Sequence, residues 1–152
     1  MARSTPAFRR FPATRIYRGQ HASPRLITKQ ARLYRTRLRR AARGKPNYAG
    51  IHALTMWGCG AQCLDGAVVN LVTGKVVFLP DGVSRCFDAR PNSRLLMLAN
   101  GGFGGLAQTY AFYDFNGRRF RLVKLIKLPE DSAAATKLCR YGAPAVPSAY
   151  GY

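Results

Sequence analysis

The apolar residues of this chain change their spacing at Gly44-Lys45-Pro46, from every third or fourth residue to every second, and the fold class follows from that change. Before it, Ala31, Tyr34, Leu38 and Ala41 fall at i, i+3, i+7 and i+10, one face of a helix. Thr28 can cap that helix at its start, and Gly44 followed by Pro46 stops it, so a helix is predicted over 28–43. After the change, "IHALTMW" alternates around Ile51, Ala53, Thr55 and Trp57. "AVVNLV" and "KVVFL" flank Thr73-Gly74 as a hairpin, and "RLLMLA", Arg94 to Ala99, reads as a buried strand. "QTYAFYDF" and "RRFRLVKLI" flank Asn116-Gly117, whose residues tolerate the positive φ of a tight hairpin turn. Short links between strands imply antiparallel neighbours. The expected fold is therefore α+β: a six-stranded, mainly antiparallel meander over 51–127 with one Arg-rich amphipathic helix at its N-terminal side, in a single domain spanning 27–141.

The chain is strongly basic, and unevenly so. Of 152 residues, 25 are Lys or Arg and 6 are Asp or Glu, a formal charge of +19. Residues 1–46 hold 14 of the basic residues and no acid; from Asn47 onward the net charge is +5. Residues 1–26, with Pro6, Pro12 and Pro24, read as an extended basic arm, and 142–152 as a C-terminal tail. On the helix, Arg32, Arg35, Arg39 and Arg43 form a stripe with Arg37 and Arg40 beside it. Such a surface repels itself unless an anion neutralises it, so these six arginines are the expected polyanion-binding residues. Nucleic acid, an anionic envelope component and an acidic protein all have the required charge, and Tyr17 and Tyr34 are available for stacking on bases. The alternative is a solvated helix whose Arg stems cover apolar surface. No apolar run approaches the ~18 residues of a membrane-spanning helix. The opening segment lacks the apolar core of a secretory signal; its Arg-rich, acid-free composition overlaps with a transit peptide, but Pro6 and Pro12 oppose the helix such a peptide forms.

The stretch "MWGCGAQCLDG", Met56 to Gly66, holds Cys59 and Cys63; Cys86 and Cys139 complete the set. Four cysteines allow three fully paired connectivities, and spacing does not choose among them. A zinc site wants a second close Cys or His pair, which Cys86 and Cys139 do not provide, so no metal is expected. A nucleophilic thiol needs an adjacent base. His52 is the nearest candidate, but on an alternating strand it shares a face with Leu54 and Met56; His21 lies in the arm. The reading that fits best is structural: a Cys59–Cys63 bridge would lock the glycine-flanked bend, and a Cys86–Cys139 bridge would tie the C-terminal segment to the sheet. Disulfides of either kind belong to an oxidising compartment.

The remaining motifs carry little chemistry. Gly102, Gly104 and Ala107 of "GGFGGLA" match a dinucleotide fingerprint, but an alternating aromatic strand follows where a helix is required, so a hairpin loop and no cofactor are expected. "VTGKV" is a turn without the rest of a phosphate loop. Asp65, Asp81, Asp88 and Asp114 all sit at or beside predicted turns, where Asp bonds locally, and Glu130 and Asp131 read as solvated.

The segments "RTRLRRA", "PNYAG", "WGCGAQC" and "TGKV" together resemble a group of small, usually exported bacterial proteins. That group carries R-T-R-L-R, P-N-[FY]-A-G, W-G-C-G-x-x-C and [DN]-x-x-T-G-[KR]-V, and the likeness covers roughly 11–100. The resemblance implies a compact exported domain with a disulfide at the close cysteine pair, and it transfers no catalytic residue. The expected function is thus a non-enzymatic binding or accessory protein of the bacterial envelope, acting through its Arg-rich helix on an acidic partner. It would be periplasmic or secreted given an upstream leader, and cytoplasmic otherwise. The alternatives are an intracellular RNA- or ribosome-associated protein and, more weakly, a thiol enzyme using Cys59 or Cys63 with His52.

Overall fold

Two antiparallel sheets stack face to face at the centre of the protein. The computed structural model describes residues 5–101, 107–129, 132–139 and 141–142. The first sheet, in the order β1–β2–β3, comprises β1 (His52–Gly60), β2 (Cys63–Asn70) and β3 (Val76–Phe78). The second has the order β7–β6–β5–β4–β8, with β4 (Cys86–Ala89), β5 (Leu95–Gly101), β6 (Gln108–Phe115), β7 (Phe120–Leu128) and a two-residue β8 (Tyr141–Gly142). Leu54, Met56 and Val68 of the first sheet meet Phe87, Leu96, Leu98 and Phe115 of the second in one buried cluster.

The single six-stranded sheet expected from the sequence is therefore corrected to two sheets. Alternation states which side chains share a face, but not which strand lies alongside. The chain leaves the first sheet at Val83, whose N–H and carbonyl still pair with Leu64 at 2.8 and 2.7 Å, and starts the second at Cys86. The short β4, "CFDA", has too little alternation to be read as a strand. All six predicted strands are present, and the outer faces are covered as well. Trp57, Ala67 and Val69 lie under the helices, while Met97, Tyr110, Phe112 and Ile126 lie under α3 (Ala133–Leu138) and the N-terminal Phe8 and Phe11. Strands so enclosed are buried on both sides, as residues 52–57 and 95–99 are.

The predicted helix over 28–43 is corrected to two: α1 (Lys29–Leu33) and α2 (Arg35–Arg43). Thr28 caps the first, its Oγ1 accepting the Ala31 N–H at 3.0 Å, and Gly44 ends the second. The break is at Tyr34, which leaves helical geometry (φ −102°, ψ 22°) and stacks its ring on Trp57 at a centroid distance of 4.5 Å. Leu38 and Ala42 anchor α2 on the sheet. No helix among the described residues is long and apolar enough to cross a membrane.

Residues 8–25 carry almost no regular structure, yet they are fastened along their length. Ala13 N–H donates to Asn92 O (3.0 Å), Tyr17 N–H to Gly50 O (3.0 Å), Ala22 N–H to Leu71 O (2.8 Å) and Arg25 N–H to Gly74 O (2.7 Å). The buried Ser93 hydroxyl lies 2.7 Å from Phe8 O and 3.0 Å from Phe11 O, and Arg94 donates to Pro12 O at 2.7 Å. This segment is a strap laid over the body, where its prolines and arginines alone suggest poorly packed chain. The glycine-rich stretch 102–106, expected as a hairpin loop, Glu130, Asp131 and the residues beyond 142, expected as a tail, lie outside the described residues.

Candidate anion-binding surface

The six arginines singled out in the sequence are sorted by the fold. Burying Leu38 and Ala42 against the sheet turns Arg39, Arg40 and Arg43 outward, while Arg37 is half-buried at the helix flank. Arg32 is committed to backbone: its guanidinium donates to Ile27 O at 2.8 Å and Leu26 O at 3.3 Å. Arg35 donates to Arg32 O at 3.0 Å. Arg39, Arg40 and Arg43 have neither a carboxylate nor a carbonyl partner among the described residues; the ion pairs there join Arg90 to Asp88, and Arg94 and Arg121 to Asp114. Arg40 and Arg43 stand in the last helical turn, where positive charge complements the helix dipole. Arg39 and Arg43 also line a groove of about 560 Å³ against His21 and Pro24 of the strap. His21 Nδ1 meets Ala42 O at 2.8 Å and fixes that side of the groove.

The two stacking candidates are used internally. Tyr34 lies on Trp57, and Tyr17, half-buried, donates its hydroxyl to Gln20 O at 2.9 Å. The surface thus offers guanidinium without an adjacent free aromatic platform from either residue.

All four cysteines are paired, Cys59 with Cys63 and Cys86 with Cys139, with Cα separations of 5.1 and 5.3 Å. The first closes the β1–β2 hairpin, where Gly60 (φ 133°) and Gln62 (φ 53°) take up positive φ; the second ties the end of α3 to β4. Cys59 and Cys63 are thus bonded to each other, and neither stands as a free thiol beside His52. His52 is a core residue: buried, edge-on to Phe115 at 5.0 Å, with Nδ1 3.3 Å from Ala49 O. Burial pulls its pKa below the usual histidine value, against the smaller opposing effect of that hydrogen bond. The pair of disulfides points to a non-reducing environment.

The aspartates divide. Asp65, near the start of β2, and Asp81, in the turn after β3, each bond locally to the next residue's N–H, that of Gly66 or Gly82, both at 2.8 Å. Asp88, in β4, and Asp114, in β6 beside the Asn116-Gly117 turn, are held by ion pairs where local bonding was expected. Asp114 holds Arg94 through two contacts at 3.0 and 3.5 Å, and Asp88 meets Arg90 at 3.5 Å. Sequence reasoning did not connect Arg25, Lys75, Arg94 and Arg118. The fold collects them around one cleft, and their separation along the chain hides this from any linear pattern. No protein-family model, curated protein or solved structure matches this chain.

Proposed function

We propose that the protein is a non-enzymatic binding protein of the bacterial envelope that engages an acidic partner through the exposed face of α2. The observation that carries this reading is the set Arg39, Arg40 and Arg43: three adjacent exposed guanidiniums that no carboxylate neutralises among the described residues. Uncompensated charge on a rigid, sheet-backed helix is stabilised by an anionic surface and steers association with it. The disulfides favour the envelope over the cytoplasm, and with it the likeness to exported bacterial proteins. An RNA partner is the second reading, and the internal use of Tyr34 and Tyr17 weighs against it, since single-stranded recognition relies on stacking.

Binding of fluorescent poly-glutamate and of single-stranded RNA at several salt concentrations tests the proposal. The wild-type protein should bind poly-glutamate with an affinity that falls as salt rises, and the triple variant R39Q/R40Q/R43Q should bind at least about tenfold more weakly, as loss of several charge-assisted contacts requires. Unchanged affinity in the triple variant would overturn the assignment to α2. RNA binding much tighter than poly-glutamate binding would replace the acidic partner with a nucleic acid.

A further inference from the structure

We propose that the cleft between the strap, the Tyr48–His52 turn and the β2–β3 and β6–β7 turns is a binding site for a phosphate-type oxyanion, separate from the α2 surface. The cleft encloses about 510 Å³, enough for a small phosphomonoester. Four cations line it from four separate segments: Arg25, Lys75, Arg94 and Arg118. Only Arg94 is neutralised, by Asp114. Arg25, Lys75 and Arg118 are exposed and have no carboxylate partner among the described residues.

The side-chain groups of the two turns beside these cations face one way chemically. Asn70 Oδ1 accepts the N–H groups of Val72 (2.8 Å) and Thr73 (3.0 Å), and Asn116 Oδ1 accepts those of Arg118 and Arg119, both at 2.8 Å. Each amide oxygen is therefore occupied, and each amide NH₂ is left to donate elsewhere. Thr73 Oγ1 accepts the Lys75 N–H at 3.2 Å, which leaves the hydroxyl proton available. Three unneutralised cations beside turn donors, with the amide oxygens of Asn70 and Asn116 engaged, suit a ligand rich in acceptor oxygens and carrying more than one negative charge. A phosphate group meets both requirements; a cationic or purely apolar ligand meets neither.

His52 lines the same cleft, and His21 the α2 groove, so each site has its own reporter. The test follows the ring resonances of both histidines while glycerol phosphate is titrated in solution. In a second arm, vesicles carrying phosphatidic acid are co-sedimented with the protein. The expected result is a saturable shift at His52 with His21 still, or saturable vesicle binding, and in either arm a loss of affinity of at least about tenfold in K75Q/R118Q. The arm that binds more tightly tells whether the phosphate is free or displayed on a lipid. R39Q/R40Q/R43Q should leave the His52 shift with glycerol phosphate unchanged, which separates this proposal from the α2 reading. Lys75 and Arg118 are exposed positions in the two strand connections, and R25Q/K75Q supplies a second variant if the first fails to fold. Absence of saturable binding in both arms, or wild-type affinity in a folded cleft variant, overturns the proposal.

Discussion

Gly50 and Gly74 both hold positive φ, +78° and +80°, and in each the place of a Cβ is taken by strap backbone: the carbonyl oxygen of Arg15 at one, that of Ser23 at the other. The same two glycines supply the carbonyls that accept the N–H groups of Tyr17 and Arg25. Any side chain there meets both a strained backbone and an immovable neighbour. Gly50→Ala and Gly74→Ala should each destabilise the fold by more than about 1 kcal/mol in chemical denaturation. They should also speed hydrogen exchange at Tyr17 and Arg25 more than at the amides of β5. Equal acceleration everywhere would mean that the strap is not held by these two glycines.

At the level of elements, the two disulfides do different work because they close loops of different length. Cys59 and Cys63 are 4 residues apart on a hairpin already paired by β1 and β2; Cys86 and Cys139 are 53 apart and join β4 to the end of α3. Chain-entropy arguments put the loss at about 2 kcal/mol for the short loop and about 4 kcal/mol for the long one. Calorimetry of C59S/C63S and C86S/C139S should show the larger fall in Tm for the second pair. The reverse order would place the stabilising role on the hairpin. Thr28 and Gly44 were legible as the outer limits of the helical segment because caps are local chemistry. The break at Tyr34 was not, because it is coupled to a stack on Trp57, 23 residues away in the chain and in contact only once the sheet has formed.

For the whole molecule, +19 of formal charge is the dominant long-range term, and self-repulsion opposes the compact state. Only a few ion pairs offset it among the described residues, and Asp114 serves two of the arginines. Screening should therefore help the fold more than it harms these pairs. Tm is expected to rise as sodium chloride is added from low to physiological ionic strength; a fall would show that local attractions outweigh the net repulsion. The same balance explains why the arginines were readable as a binding surface but not sortable. The sequence shows six on one helix, and only packing shows that Arg32 and Arg35 are tied to backbone carbonyls while Arg39, Arg40 and Arg43 are not.

What the chain determines on its own is everything carried by near neighbours: six strands by alternation, the Asn116-Gly117 and Thr73-Gly74 turns, the helix limits, and a basic N-terminal third. The tertiary structure decides what depends on distant partners. It divides the strands between two sheets and pairs the cysteines. It lays the strap against Gly50 and Gly74, and it gathers Arg25, Lys75 and Arg118 around one cleft. The physical reason is that periodicity and turn chemistry act over a few residues, whereas sheet stacking, disulfide closure and charge clustering are set by which surfaces meet when the apolar faces are buried.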